Sequence, residues 1–141
     1  MRHFAETELA PIAAEIDRNA VFPVEVIDKM KKLNYFGLQV PKEFGGAALD
    51  SVSAAIVVEE ISRVCAAVGL CVTVHNGVAV FPFLQFGNKR QNAKYLPRLA
   101  SGEMIGAFSL TEANAGSDAG SVETTAVKNG NDYVLNGTKI F

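Results

Sequence analysis

The sequence predicts a mainly α fold: a helical domain over residues 1–104, followed over 105–141 by the opening strands of an incomplete antiparallel β-domain. Three observations carry this. As far as about residue 102, apolar side chains recur every three or four residues, which is the period of one helix face. Beyond Gly102 the period shortens toward alternation, as in a strand. Two Asn-Gly pairs, Asn129-Gly130 and Asn136-Gly137, then punctuate the last stretch as hairpin turns do.

In the first element, Phe4, Leu9, Ile12, Ala13 and Ile16 share a face over residues 2–18, with Glu6, Glu8, Glu15 and Asp17 on the other side. Pro11 lacks an N–H and should bend this helix. Pro23 can open a second helix with the apolar set Val26, Ile27, Met30 and Leu33, ended by Asn34 and Gly37. The stretch "VPKEFGG" is then extended before it turns. Ser51 is a candidate cap for a third helix through Ile56, Val57, Glu60 and Ile61 to about Cys65. A fourth, over residues 68–86, is apolar nearly all round and should sit at the centre of the helical layer. Asn88 and Gln91 have capping-box spacing for a fifth helix that turns Lys89, Arg90, Lys94 and Arg98 outward, with Pro97 starting a new turn and Gly102 ending it. "MIGAFSLT" is a first strand. The two Asn-Gly turns then give a three-stranded meander whose apolar last member, Ile140-Phe141, leaves an open edge prone to aggregation. Such a sheet reads as unfinished, so the chain is expected to be part of a larger protein.

Composition excludes several classes. With 13 basic and 15 acidic residues, the net charge of -2 gives no electrostatic drive toward nucleic acid or an acidic membrane. No ionised side chain occurs between Arg63 and Lys89. Thr73, His75, Asn76, Pro82 and Gln85 nevertheless interrupt the run, and its purely apolar parts fall short of the roughly 20 residues a bilayer demands. A core helix is expected there. Cys65 and Cys71 would lie about 9 Å apart along a helix and on different faces, too far for a disulfide. The N-terminus carries acids where a signal peptide would be apolar. No metal-ligand spacing, dinucleotide fingerprint or Walker loop is present.

The chemistry-bearing residues gather in "FSLTEANAGSD", residues 108–118. Thr111 offers a hydroxyl, and the amides of Ala115, Gly116, Ser117 and Asp118 could converge on an anion as a nest. Asn, Gly, Ser and Asp are also ordinary turn residues, and taken alone the turn reading prevails. His75 and Asn76, in the apolar fourth helix, read as a buried pair satisfied by nearby backbone. The basic set on the fifth helix reads as a solvated face, and Val78, Phe81, Phe83 and Leu84 read as core.

Longer motifs sharpen the picture. "GAFSLTEANAGSDAGSVETTAV", followed by "YVLNGTKIF", resembles the flavin-binding signature of the acyl-CoA dehydrogenase family. "LAPIAAEIDR", "GLQVPKEFGG", "VVEEISRV", "TVHNGV" and "FGNKRQNAKYLPRLASGE" resemble its N-terminal helical region, in the same order and nearest to the short-chain, butyryl-CoA branch. The resemblance implies an N-terminal helical domain, here truncated at its start, the opening of a middle β-domain, and a C-terminal bundle beyond this chain. FAD and a fatty acyl-CoA would lie between them. Phe108, Leu110 and Thr111 would then pack against and hydrogen-bond the isoalloxazine ring. Gly116 would belong to the turn, Ser117 would reach the flavin diphosphate and the CoA part of the substrate, and Phe141 would begin the segment on the ring's other side.

The implied reaction is α,β-dehydrogenation in fatty acid β-oxidation, with an electron-transfer flavoprotein as oxidant and a tetrameric parent, cytoplasmic in a bacterium or in the mitochondrial matrix of a eukaryote. The catalytic glutamate of that family lies in the C-terminal bundle, so no catalytic residue is expected here. Glu112 is expected to shape its loop, and the chain alone to bind FAD weakly or not at all. Ala113 replaces the proline common in the family and frees the turn. The alternatives are an oxygen-using relative, an acyl-CoA oxidase or flavin monooxygenase, and a non-catalytic helical scaffold.

Overall fold

The computed structural model describes residues 1–141, which divide into two units, Met1–Ala107 and Phe108–Phe141. The mainly α class holds: five helical runs lie in the first unit and one two-stranded antiparallel sheet in the second.

In the first unit, α1 runs over residues 2–19 as Arg2–Phe4, a π-helical turn Ala5–Leu9 and Ala10–Asn19. Pro11 cannot donate to the carbonyl four residues back, and the wider turn directly ahead of it takes the place of the simple bend expected. Ala20 ends the helix in the left-handed conformation (φ 49), and Val21 N donates to Ile16 O in a Schellman closure. Helix α2, Val24–Lys32, buries Val26, Ile27 and Met30. Leu33 falls at its C-cap and is half exposed, so it leaves the expected apolar set; Asn34, at φ 60, makes the turn foreseen for it.

The segment that follows is irregular but buried, with turns over 33–36, bends over 38–40 and a short 3-10 helix at Lys42–Phe44 where extended chain was expected. Tyr35, Phe36, Leu38 and Val40 are buried in the domain, and the chain folds back on this segment through Leu49 N to Leu38 O and Ala48 N to Val40 O. Gly46 lies at the tightest point of this return: a Cβ there would fall 2.0 Å from the Val40 carbonyl oxygen. Only glycine fits against that backbone.

Helix α3 is Ser51–Ser62, and its cap is Asp50 rather than Ser51: the Asp50 carboxylate accepts from Ser53 N at 2.8 Å. The carboxylate outcompetes a hydroxyl because it brings charge to the positive end of the helix. Helix α4 covers Ala66–Val74, a π-helical turn His75–Val80 and Phe81–Phe86. Helix α5, Lys89–Ala100, opens with the capping box: Asn88 Oδ1 accepts from Gln91 N and Gln91 Oε1 from Asn88 N, both at 2.9 Å. Pro97 lies inside α5 and starts no new turn, because the helix continues to Ala100 on its other bonds.

Two buried clusters hold the unit. The larger joins Leu9, Met30, Phe36, Leu38, Ile61 and Val72 with their neighbours, and the smaller joins Val40, Val80, Leu96, Leu99 and Ala100. Each of the larger of these side chains contributes about 1.5–3 kcal/mol on burial. Helix α4 does not occupy the centre of the layer. It anchors through Val68, Val72, His75 and Val80, while Leu70, Val78, Phe81 and Phe86 remain exposed, Phe86 at 84 %. Val78 and Phe81 are thus not core, whereas Phe83 and Leu84 pack against the smaller cluster. By length and composition alone, Ala66–Phe86 could cross a membrane. In the structure its π-helical turn is bonded into the domain instead. The basic residues of α5 are exposed, as expected, and both cysteines are free.

In the second unit, β1 (Thr125–Asn129) pairs antiparallel with β2 (Asp132–Asn136), Val127 facing Val134. The register makes Gly130 and Asn131 the two turn residues, one position later than the Asn129-Gly130 reading. No strand forms over residues 104–111 or beyond Asn136, so the expected meander reduces to one hairpin, exposed along its whole length. A strand needs a ladder. Here the backbone acceptors of Leu110 and Thr111 are met singly, by Lys139 Nζ and Ile140 N.

Candidate functional site

The polar loop of the second unit is organised by Glu112. Its backbone and that of Ala115 bond reciprocally, Glu112 N to Ala115 O at 3.0 Å and Ala115 N to Glu112 O at 3.2 Å, which closes the "EANA" turn. The carboxylate turns inward. Oε2 accepts from Glu123 N (2.6 Å), and Oε1 accepts from Thr124 N (3.1 Å), the Thr124 hydroxyl and Lys139 Nζ (2.7 Å). The ammonium of Lys139 and the Thr124 and Glu123 donors together hold the carboxyl at about 2, far below its ordinary 4.5. A carboxylate so stabilised in its ionised form has little tendency to take up a proton, and its bonds shape the loop, as expected.

Around this anchor lie the expected cofactor residues. Thr111 is half-buried, and its carbonyl accepts from Ile140 N at 2.9 Å, so the segment entering the loop and the segment leaving the hairpin run side by side. Phe108 and Leu110 are exposed, Phe108 at 55 %, and Phe141 is fully exposed. Gly116 and Ser117 lie on the open side of the turn, with nothing within 4 Å of a Cβ built on Gly116. The nest over 115–118 is smaller than expected, because the Ala115 amide is committed to Glu112 O. Asp118 accepts from the Ser121 amide through its backbone carbonyl and from the Ser121 hydroxyl through its carboxylate, bonds that do not use its own amide. Aromatic and aliphatic surface beside two hydroxyls and a glycine turn suits a ligand with a flat ring and an anionic tail. On the chemistry of their donors, these residues fit a flavin nucleotide.

Lys139 is the residue that sequence reasoning missed. It lies within "YVLNGTKIF", where it is the sole ionised side chain after Asp132, and that isolation was the available signal.

In the first unit, His75 is fully buried with both ring nitrogens occupied: Nε2 donates to Leu99 O (3.1 Å) and Nδ1 accepts from Gly106 N (2.9 Å). Burial lowers its pKa, so the ring is neutral. Asn76 accepts from Leu38 N (3.1 Å) and donates to Tyr35 O and Val72 O (both 3.0 Å). The expected satisfied pair is what the structure contains.

The fold and this loop define a class, and comparison with known proteins agrees. The family model described as "Acyl-CoA dehydrogenase, N-terminal domain" matches residues 1–103, and that described as "Acyl-CoA dehydrogenase, middle domain" matches 107–141. The chain belongs to the acyl-CoA dehydrogenase family. Among its relatives, an acyl-CoA dehydrogenase of Bacillus subtilis is 49% identical over 100% of this chain and 37% of its own length. The acryloyl-CoA reductase (NADH) of Anaerotignum propionicum is 47% identical over 99% and 36%. The human mitochondrial short-chain specific acyl-CoA dehydrogenase is 46% identical over 98% and 34%.

Among solved structures, one described as the electron transferring flavoprotein of Acidaminococcus fermentans superposes with a TM-score of 0.95 at 41% identity, covering 99% of this chain and 37% of that one. Butyryl-CoA dehydrogenase from Megasphaera elsdenii gives 0.91 at 36%, covering 99% and 38%. An acyl-CoA dehydrogenase complexed with FAD from Bacillus anthracis gives 0.84 at 38%, covering 98% and 24%. The chain thus spans little more than a third of the length of the relatives it matches.

Proposed function

We propose that this chain forms the helical N-terminal region and the opening of the flavin-binding domain of an FAD-dependent acyl-CoA dehydrogenase acting on short or medium acyl chains. What carries the reading is the ordered tiling of the chain by the two family domains, 1–103 and 107–141. In this reading Phe108, Leu110 and Phe141 flank the ring. Thr111 donates toward the side of the ring where negative charge develops, and Ser117 with the Gly116 turn binds the diphosphate and the CoA portion of the substrate. FAD, when bound, supplies the acceptor for the hydride that leaves the substrate β-carbon. The residues of this chain hold ring and thioester in line, and that alignment carries much of the rate of such a reaction. In this reading they supply no base, and Glu112, held ionised by Lys139, Thr124 and Glu123, serves to shape the loop.

An electron-transfer flavoprotein as oxidant, a homotetrameric parent, and a bacterial cytoplasmic or mitochondrial matrix location complete the proposal. The test is to purify the protein carrying this chain, record a flavin spectrum, and add butyryl-CoA without oxygen. Bleaching of the visible band is expected; a colourless protein, or one indifferent to acyl-CoA, overturns the reading. The 47% identity to the acryloyl-CoA reductase (NADH) supports a second reading, the same chemistry run toward saturation. Reoxidation of the reduced protein by acryloyl-CoA, with no bleaching by butyryl-CoA, favours that direction.

A further inference from the structure

We propose that Lys139 is a positioning residue for the flavin-binding loop. Its ammonium bridges the Leu110 carbonyl (3.0 Å) and Glu112 Oε1 (2.7 Å), and so fixes how far residues 108–111 stand from residues 139–141. The inference rests on the reading above, which assigns those two segments to the two sides of the ring. Three features make the bridge rigid. Glu112 is 8% exposed and Lys139 26%, so solvent screens the pair weakly. The carboxylate is held from behind by Glu123 N and Thr124 N, which ties the bridge to the start of β1. Gly137 passes so near Thr124 that a Cβ would meet its Cα at 2.8 Å, which brings the segment carrying Lys139 against the residue that clamps Glu112. The Ile140 N to Thr111 O bond follows directly after the bridge and depends on it for alignment.

The experiment compares the full protein carrying this chain, in which the flavin site is complete, with its Lys139→Met and Lys139→Arg variants by NMR. It measures amide exchange at Ile140, and the shifts that excess FAD causes at Thr111 and Ser117. First-unit helix amides serve as the internal reference for folding. A charge-assisted bond of this kind predicts that Lys139→Met speeds Ile140 exchange roughly ten-fold or more. The same variant should abolish the FAD-induced shifts, and Lys139→Arg, which keeps charge and reach, should restore both properties. Unchanged Ile140 exchange in Lys139→Met overturns the bridge. Faster exchange with FAD-induced shifts intact overturns the positioning role and leaves the flavin reading standing. If FAD shifts nothing even in the unmodified full protein while Ile140 still responds to the two variants, the bridge stands and the flavin reading is what fails.

Discussion

Asn76 is the most exacting test of how the first unit is built. Its amide sits at the π-helical turn of α4 and ties that helix to the buried segment 35–38 through Leu38 N and Tyr35 O, with a third bond to Val72 O. In Asn76→Ala the Leu38 N–H and the Tyr35 carbonyl lose their partner. An orphaned buried group costs about 1–3 kcal/mol. Asn76 is only half-buried, so water reaches part of the gap, and the lower half of that range applies to each group. The sum is about 2–4 kcal/mol. With a urea m-value near 2 kcal/mol/M, the unfolding midpoint should fall by about 1–2 M. Far-ultraviolet circular dichroism follows it, since every α-helix lies in this unit. Thr73→Ala is the control. Thr73 is exposed and bonds only within its own helix, to Gly69 O, so its effect should stay within about 0.5 kcal/mol. Equal midpoints for the two variants would refute the claim that Asn76 pins the loop to the helix.

Ala20→Gly should stabilise the chain by about 0.5–1 kcal/mol, because relief of the left-handed strain at φ 49 exceeds the entropy that glycine adds to the unfolded state; an unchanged or lower urea midpoint refutes this. Gly46→Ala should cost about 2–4 kcal/mol, since the new Cβ meets backbone that cannot rotate away, and a soluble variant with an unshifted midpoint would refute it. Acid should act in two stages. His75 has a lowered pKa, so its contribution is whole above about 6.5 and falls as pH drops below that, where the unfolded chain accepts a proton that the fold refuses. Glu112 is held at about 2, so its contribution is whole above 4.5 and is lost as pH falls from there toward 2. Helix signal should therefore weaken first and the Glu123 and Thr124 amides lose protection later; the reverse order refutes the assignment.

The helices were legible because their determinants are local. The Asn88-Gln91 box, the Asn34 turn and the Val26, Ile27, Met30 stripe each lie within one or two turns of chain. The misreadings share the opposite property. Whether α4 is central depends on what packs around it, and an all-apolar helix has no pattern that says which face is covered. The π-helical turns at Ala5–Leu9 and His75–Val80 likewise follow from neighbours: the second is held by bonds from Asn76 to Tyr35 and Leu38, about forty residues away. A strand is defined by its partner, and nothing within "MIGAFSLT" states that no ladder meets it.

The loop was legible for a different reason. Its composition marked it as a turn, but only the long motif around it marked it as a ligand site. A turn and a nest use the same residues, and what separates them is which amides remain free. Here the structure divides the work within seven residues. Glu112 and Ala115 are committed to internal bonds, and a carboxylate beside the half-buried Thr111, which proximity alone would nominate as a base, is spent on Lys139, Thr124 and Glu123. Gly116 and Ser117 are left open. The charged side chain in this loop thus buys rigidity, and on the proposed reading the uncharged ones are left to meet the flavin. On that reading the allocation suits a redox ring whose charge changes during turnover. A free carboxylate close by would oppose the negative charge the ring acquires, whereas one neutralised by Lys139 does not.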